Sequence, residues 1–361
     1  MLEIKESHIL LYRIFDVGWE IDIKGLEKEI KGNRLKISKL GPRSVYFRYP
    51  PFTIYLGENI FHFEKEALKY EIFVRFYNFG AVTILFRFNL KNITFKKLKE
   101  IFWFLWNNGE IIHIMKKYLK EIFEKYKKFI NQPKIYEDFE DMYVLYVREF
   151  KNKIKSNELL KLIDFSELLT GERYKLSDSI KEEFKNNLFS YSEEDIAVLN
   201  WDTAFIYDTE GLMDIPNIIE FCNVMLLELR YFDSYLDFVL QKTYDIIETP
   251  NSEIKLFLKY RNFGNEMKKL LRLHLDITEA FDKVINGLKI FEDTYYRKIY
   301  NRMISILGIP EWERNVLNKQ KTIMETYSLL NNEISNIKFY ILEILIIVAI
   351  LIEFIAYLIK G

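Results

Sequence analysis

Hydrophobic positions recur with two different periods along this chain. Over roughly the first 210 residues they come in short β-type runs between helical stretches; after Asp214 they recur only at helical spacing. His8–Phe15 reads as a strand, and Gly25–Gly32 as a short helix punctuated by its glycines. Ser44–Tyr49 and Thr53–Leu56 are extended pieces separated by Pro50-Pro51. Tyr70–Leu90 holds two β-branched and aromatic runs joined at Asn78-Phe79-Gly80, the spacing of a hairpin with Gly or Asn available for a positive φ. Helices are predicted over Thr94–Trp106 and Glu110–Ile130, a strand over Met142–Phe150, and a polar helical stretch over 151–195. Ile196–Asp208, IAVLNWDTAFIYD, reads as one strong strand closed by Thr209-Glu210-Gly211.

Asp214 is placed to cap a helix whose apolar residues Ile215, Ile218, Ile219, Cys222, Met225, Leu226, Leu229, Leu236 and Leu240 share a face, running to about Glu248. Thr249-Pro250-Asn251-Ser252 breaks it and opens a second long helix towards Gly308; a third begins at Pro310. The expected fold class is α+β: an N-terminal mixed α/β head, then long antiparallel stalk helices and one C-terminal transmembrane helix. The expected division is 1–150 for the head, 151–212 completing it, 213–338 for the stalk and 339–359 for the anchor.

In the third helix Val316, Ile323, Leu330, Ile337 and Ile344 recur every seven residues, with Tyr327, Ile334, Ile341 and Val348 as a companion row, a coiled-coil-like stripe. It runs into FYILEILIIVAILIEFIAYLI, 339–359. A helix of that length spans about 31 Å, one hydrocarbon thickness. Its Ile, Leu, Val and Phe residues favour insertion by about 7 kcal/mol, against up to about 6 kcal/mol for Glu343 and Glu353. Only Lys360 and Gly361 follow, so the expectation is a tail anchor. Ten residues at 100° place the two glutamates about 80° apart on neighbouring faces. A carboxylate facing lipid is costly, so that side is expected to face protein, either a second copy or a partner.

Composition adds 30 Phe and 24 Tyr against 13 Gly and 7 Pro, hence long elements and short loops. A net charge of −1 argues neither for nor against nucleic acid as a partner. The single cysteine, Cys222, excludes an internal disulfide and sits in an apolar stretch as a buried thiol. The N-terminus lacks the apolar core and cleavage site of a secretory signal, so the head is expected on the cytoplasmic side.

Phosphate-loop, dinucleotide, nucleophile-elbow and HExxH motifs are absent, His8, His62, His113 and His274 are scattered, and no cofactor is implied. The best candidate polar site is Asn200 and Asp202, which strand alternation would put on one face with Val198 and Ile206. Read functionally it is a metal or acid/base site; read structurally it is a fold-specifying hydrogen bond. Residues 94–130 carry nine lysines against four glutamates. Lys96, Lys97, Lys116, Lys117, Lys120, Lys127 and Lys128 form a candidate basic surface for lipid head groups or RNA, or simply a solvated face.

The hairpin IFVRFYNFGAVTILFRF, Ile72–Phe88, resembles that of the required-for-meiotic-nuclear-division family, with Phe79-Gly80 where the family has Tyr-Gly and Phe86-Arg87 where it has Trp-Gly. Leu330-Asn331-Asn332 followed by Glu343 and Glu353 resembles that family's Asn-rich approach and its span bracketed by two glutamates ten residues apart. The resemblance implies a non-enzymatic, oligomeric, membrane-tethered scaffold of the kind whose mitochondrial members support translation, and it implies no catalytic residues. A head, long helices and membrane-proximal asparagines also resemble CorA-type ion channels, which need two spans and a Gly-Met-Asn motif that this chain lacks. The expected function is therefore a membrane-anchored, self-associating scaffold. The alternatives are a metal-dependent enzyme or binding protein centred on Asp202, and a CorA-like channel.

Overall fold

The computed structural model describes residues 2–30, 46–106, 108–172, 176–248, 272, 275, 277–289 and 293–360. The break at Thr249–Ser252 and the first part of the expected second long helix lie outside the described residues. The chain forms two compact units: Met1–Tyr231 with Ala280–Trp312, and Phe232–Glu279 with Glu313–Gly361. The first, the head, therefore includes residues from 213 to 231 and from 280 to 312 that patterning alone assigns to a stalk.

The head is organised on one mixed sheet of eight strands. In chain order these are β1 (Glu3–Asp16), β4 (Phe52–Phe63), β5 (Glu66–Phe76), β6 (Ala81–Thr94), β8 (Phe139–Phe150), β9 (Leu188–Phe189), β10 (Asp195–Leu199) and β11 (Thr203–Asp208). Their spatial order is β4-β5-β6-β1-β8-β11-β10-β9, with only β8 and β11 parallel. Two small pairs stand apart: β2 (Glu20–Ile21) with β7 (Ile130–Asn131), and β3 (Tyr46–Phe47) with β12 (Leu288–Lys289). Chain order and the predominance of antiparallel pairing make the head α+β.

Strand β1 lies between β6 and β8 and reads as a near-continuous apolar run from Ile9 to Phe15 because both faces of the sheet are covered. Ile9, Leu11 and Phe15 point to one face with Val82, Ile84, Phe86 and Phe88, within a single apolar core. That core is closed by α2 (Phe95–Leu105), capped by Thr94, and α3 (Gly109–Tyr126), capped by Asn108. Helices α1 (Ile23–Glu29), α4 (Ser156–Leu162), α5 (Phe165–Thr170) and α6 (Asp178–Asn186) add residues to the same core.

The opposite face presents Leu10, Tyr12 and Ile14 with Leu85, Met142 and Val144, and receives α7 (Asp214–Glu248). From Ile218 to Leu229 almost every side chain of α7 is buried, as an all-round apolar helix requires. Cys222 is fully buried there. Instead of one long helix up to Gly308, the structure has a helical stretch over 277–285, the short strand β12, and α8 (Thr294–Ile306), which places Tyr300 against Met225. The Asp293 carboxylate caps α8 and so fixes its start within the expected helix.

The apolar interface between α7 and the sheet contains a buried polar network. The Arg75 guanidinium forms an ion pair with Glu220 and donates to Asn217 Oδ1 at 3.0 Å; Tyr77 donates to Glu220 Oε1 at 2.9 Å. Burial pushes the Glu220 carboxyl up, opposed by the Arg75 charge and the Tyr77 hydroxyl. Two turns further along α7, Glu228 lies beside Asp16 at the end of β1, both buried. Asp16 Oδ1 accepts the Gly18 N–H at 2.9 Å, while its Oδ2 and Glu228 Oε1 have no hydrogen-bond partner among the described residues. Burial raises both carboxyls, and the negative charge of Asp16 raises Glu228 further.

Helix α9 (Ile309–Lys360) has Pro310 in its first turn, as expected, and belongs to the second unit from Glu313 onward. Its Lys319 reaches both Asp233 and Asp237 at 2.7 Å, and Val316, Gln320 and Ile323 are buried. The polar Gln320 interrupts the apolar stripe. Further along, Phe339–Ile359 is long and apolar enough to cross a membrane, and none of it is buried against the rest of the chain.

Two stability measurements follow. A Cβ added at Gly80, whose φ is +112°, would stand 1.8 Å from the Gly18 carbonyl oxygen. Gly80→Ala should therefore destabilise the head by about 3 kcal/mol, read as a lowered urea midpoint. Asp16, pushed up to about 7, holds its proton more tightly when folded, so stability should fall as pH rises from about 4 to about 7 and level off above. Asp16→Asn supplies Glu228 with a donor; it should raise stability at pH 8 by about 2 kcal/mol and leave pH 4 unchanged, flattening that slope.

Candidate functional site

The face of the sheet that carries α7 opens into a groove over the N-terminal half of β1. The groove has a volume of about 390 Å³ and is lined by Glu6, Ser7, His8, Glu71, Arg87, Asn89, Lys91, Tyr146, Arg148, Gly211 and Met213. Its floor is set by register: His8 stands opposite Asn89 on β6 and Tyr146 on β8, while Leu10 pairs with Arg87 and Glu6 with Lys91. Alternation puts Arg87, Asn89 and Lys91 on one face of β6.

A chain of hydrogen bonds crosses this floor. Glu71 Oε2 accepts from Arg87 Nε at 2.8 Å and from Asn89 Nδ2 at 2.6 Å, and Asn89 Oδ1 lies 2.7 Å from His8 Nδ1. A carboxylate only accepts, so the Asn89 amide nitrogen must face Glu71 and its oxygen must face the imidazole. His8 Nδ1 is therefore the protonated nitrogen and Nε2 carries the lone pair. Burial first, then the charges of Arg87 and Arg148, hold the His8 pKa below the usual histidine range despite the Asn89 bond. The Glu71 carboxyl is raised by burial, but its Arg87 and Asn89 hydrogen bonds outweigh that and keep it below the usual range. Burial and the adjacent Asp208 raise the Tyr146 hydroxyl. Arg87 also lies over the Phe73 ring, 4.9 Å from its centroid.

Sequence patterning singles out other residues, and none of them lines this groove. Ile196–Asp208 is not one strand but the hairpin β10–β11, closed across Asn200 and Thr203, with Trp201 exposed at its tip. Asn200 and Asp202 thus belong to the turn, not to a strand face with Val198 and Ile206. Asn200 Nδ2 and Thr203 Oγ1 both donate to the Leu169 carbonyl, at 3.0 and 2.6 Å. Burial, with the nearby Asp141 adding to it, pushes Asp202 up to about 6. Asp141 is itself held by the buried Arg13 at 2.6 Å. No group of three His, Cys, Asp or Glu side chains among the described residues is placed to share a metal ion.

The lysine-rich helices also change character on folding. Lys97 pairs with Glu64 and Glu66, Lys117 with Glu121, Lys127 with Glu124 and Lys128 with Glu29. Lys116 lies over the Phe139 ring, and Lys96 and Lys120 are exposed. Glutamates distant in sequence pair with Lys97 and Lys128, and helix neighbours pair with Lys117 and Lys127. The signal for the groove was available in FRFNLK, 86–91: charged and amide residues at alternate positions of an otherwise apolar strand must find solvent or partners.

A family model for the N-terminal domain of the uncharacterized protein MJ0711 matches residues 6–214. Uncharacterized protein MJ0711 of Methanocaldococcus jannaschii is 25% identical over 321 residues, covering 85% of this chain and 95% of its own length. No solved structure matches. The matched region contains all but the first strand residues of the eight-stranded sheet, together with the groove over β1, and the chain belongs to the MJ0711 N-terminal domain family.

Proposed function

We propose that this protein is a membrane-anchored, self-associating scaffold whose head binds a ligand or partner on the cytoplasmic side. One observation carries this reading: no residue of the apolar helix Phe339–Ile359 is buried by its own chain. An exposed apolar surface of that length in water would drive aggregation; in a bilayer it is matched to its solvent. The resemblance of the hairpin and the C-terminal helix to the required-for-meiotic-nuclear-division family points the same way. Glu343 and Glu353 favour a protein neighbour for that helix, because a carboxylate facing hydrocarbon is costly.

An enzyme or metal-binding protein centred on Asp202 is the weaker reading. The neighbouring Asp141 is engaged by Arg13, and the turn that holds Asp202 is tied to Leu169 by Asn200 and Thr203. A CorA-like channel would need a second apolar span.

Truncation after Asn336 should move the head from the membrane pellet to the soluble fraction after alkaline carbonate extraction. Identical partitioning of the full and truncated chains would rule out the anchor. Replacing Glu343 and Glu353 together with Leu should leave pelleting intact and weaken or re-register the oligomer, measured by crosslinking and native mass spectrometry in detergent. An unchanged oligomer would remove the two carboxylates from the interface.

A further inference from the structure

The groove over β1 has a donor and acceptor pattern that specifies a ligand. Three cations, Arg87, Lys91 and Arg148, stand around His8 on adjacent strands, at cross-strand and diagonal positions within reach of long side chains. Two carboxylates oppose them. Glu71 Oε2 accepts from both Arg87 and Asn89, and Asn89 in turn fixes the imidazole. Glu6 faces Arg148 at 3.5 Å, a long and partly exposed pair that a bound anion displaces at little cost. Lys91 is exposed and has no ion pair among the described residues.

His8 Nε2 has no hydrogen-bond partner among the described residues, and it is not among the solvent-excluded unpartnered atoms. It therefore opens onto the groove as a bare acceptor. A ligand that satisfies this floor needs anionic oxygens for the cations and one O–H for the imidazole. Sulfate and phosphodiesters lack the O–H at neutral pH, and a carboxylate lacks it as well. Hydrogen phosphate and protonated phosphomonoesters carry both features.

We propose that the groove binds free phosphate or a small phosphomonoester, which donates its P–OH to His8 Nε2 and places its anionic oxygens on Arg87, Lys91 and Arg148. The site is independent of the membrane helix, so it stands whether or not the anchor does. Charge brings the anion in, and the single acceptor selects the protonated oxyanion. Glu71 and Asn89 are positioning residues: they keep the imidazole proton on Nδ1 and so keep Nε2 an acceptor.

Isothermal titration of the whole chain in detergent near pH 6.5, where a phosphomonoester still carries its P–OH in part, tests this, with inorganic phosphate, glycerol 3-phosphate, sulfate and dimethyl phosphate as probes. Phosphate or the monoester should bind saturably, at least about tenfold more tightly than sulfate or the diester, since one charge-assisted hydrogen bond is at stake. Tighter binding of the ester identifies a phosphorylated small molecule as the ligand, and tighter binding of phosphate identifies the free ion; both support the site. His8→Phe should remove the preference over sulfate. Lys91→Gln should weaken phosphate and sulfate by the same factor and leave the preference intact, which separates loss of charge from loss of the acceptor. As pH falls below the His8 pKa, Nε2 becomes a donor and the preference should shrink. The proposal is overturned if phosphate and monoester show no saturable binding, if sulfate binds as well as phosphate, or if the folded His8→Phe chain keeps the preference.

Discussion

The ion pair between Arg75 on β5 and Glu220 on α7 fixes how the head is put together. An apolar helix on an apolar sheet face can slide or rotate at little cost, because hydrophobic burial is non-directional. A buried guanidinium and carboxylate with defined partners allow one register. Leaving either charge unpaired costs about 3–5 kcal/mol, and Asn217 and Tyr77 extend the constraint over neighbouring turns. The pair thus contributes specificity more than net stability. The apolar residues of α7, from Ile218 to Leu229, supply the burial that holds the helix down.

With α7 fixed, one face of the sheet grades from closed to open. At the C-terminal end of β1, Asp16 and Glu228 are shut in together. Two strands away, at the level of Ile14, Arg75 and Glu220 are buried but paired with each other. At the N-terminal end the same face carries His8, Arg87, Lys91 and Arg148 at an open groove. Polar side chains on the opposite face would be enclosed in the core under α2 and α3. A ligand site on this sheet belongs where the covering helix stops, and α7 begins only at Asp214, just beyond the groove residue Met213.

The second unit follows different rules. Within α9 the buried positions Val316, Gln320 and Ile323 give way to a stretch of side chains exposed on every face from Leu342 onward. Over Phe339–Ile359 the helix changes from a stripe to a largely apolar cylinder that is long and apolar enough to cross a membrane.

The sequence by itself determined what depends on local period and turn chemistry. The hairpin at Asn78-Phe79-Gly80, the helices after Thr94 and Asn108, the helix from Asp214 and the apolar helix 339–359 were all legible, because alternation, capping and length are written in adjacent residues. IAVLNWDTAFIYD misled because its strands flank a turn made by Asn200, Trp201 and Asp202, without the Gly that usually marks one. The ion pairs within the lysine-rich helices were not legible, because the partners of Lys97 and Lys128, Glu64 and Glu29, come from remote parts of the chain. The groove was legible only in part: Arg87, Asn89 and Lys91 alternate along one strand, but His8, Glu71 and Arg148 lie on three others, and only pairing brings them together. Local patterning decided which elements form and which helix matches a membrane. Tertiary structure decided which charges meet, because strand order and register are set by burial across the whole sheet.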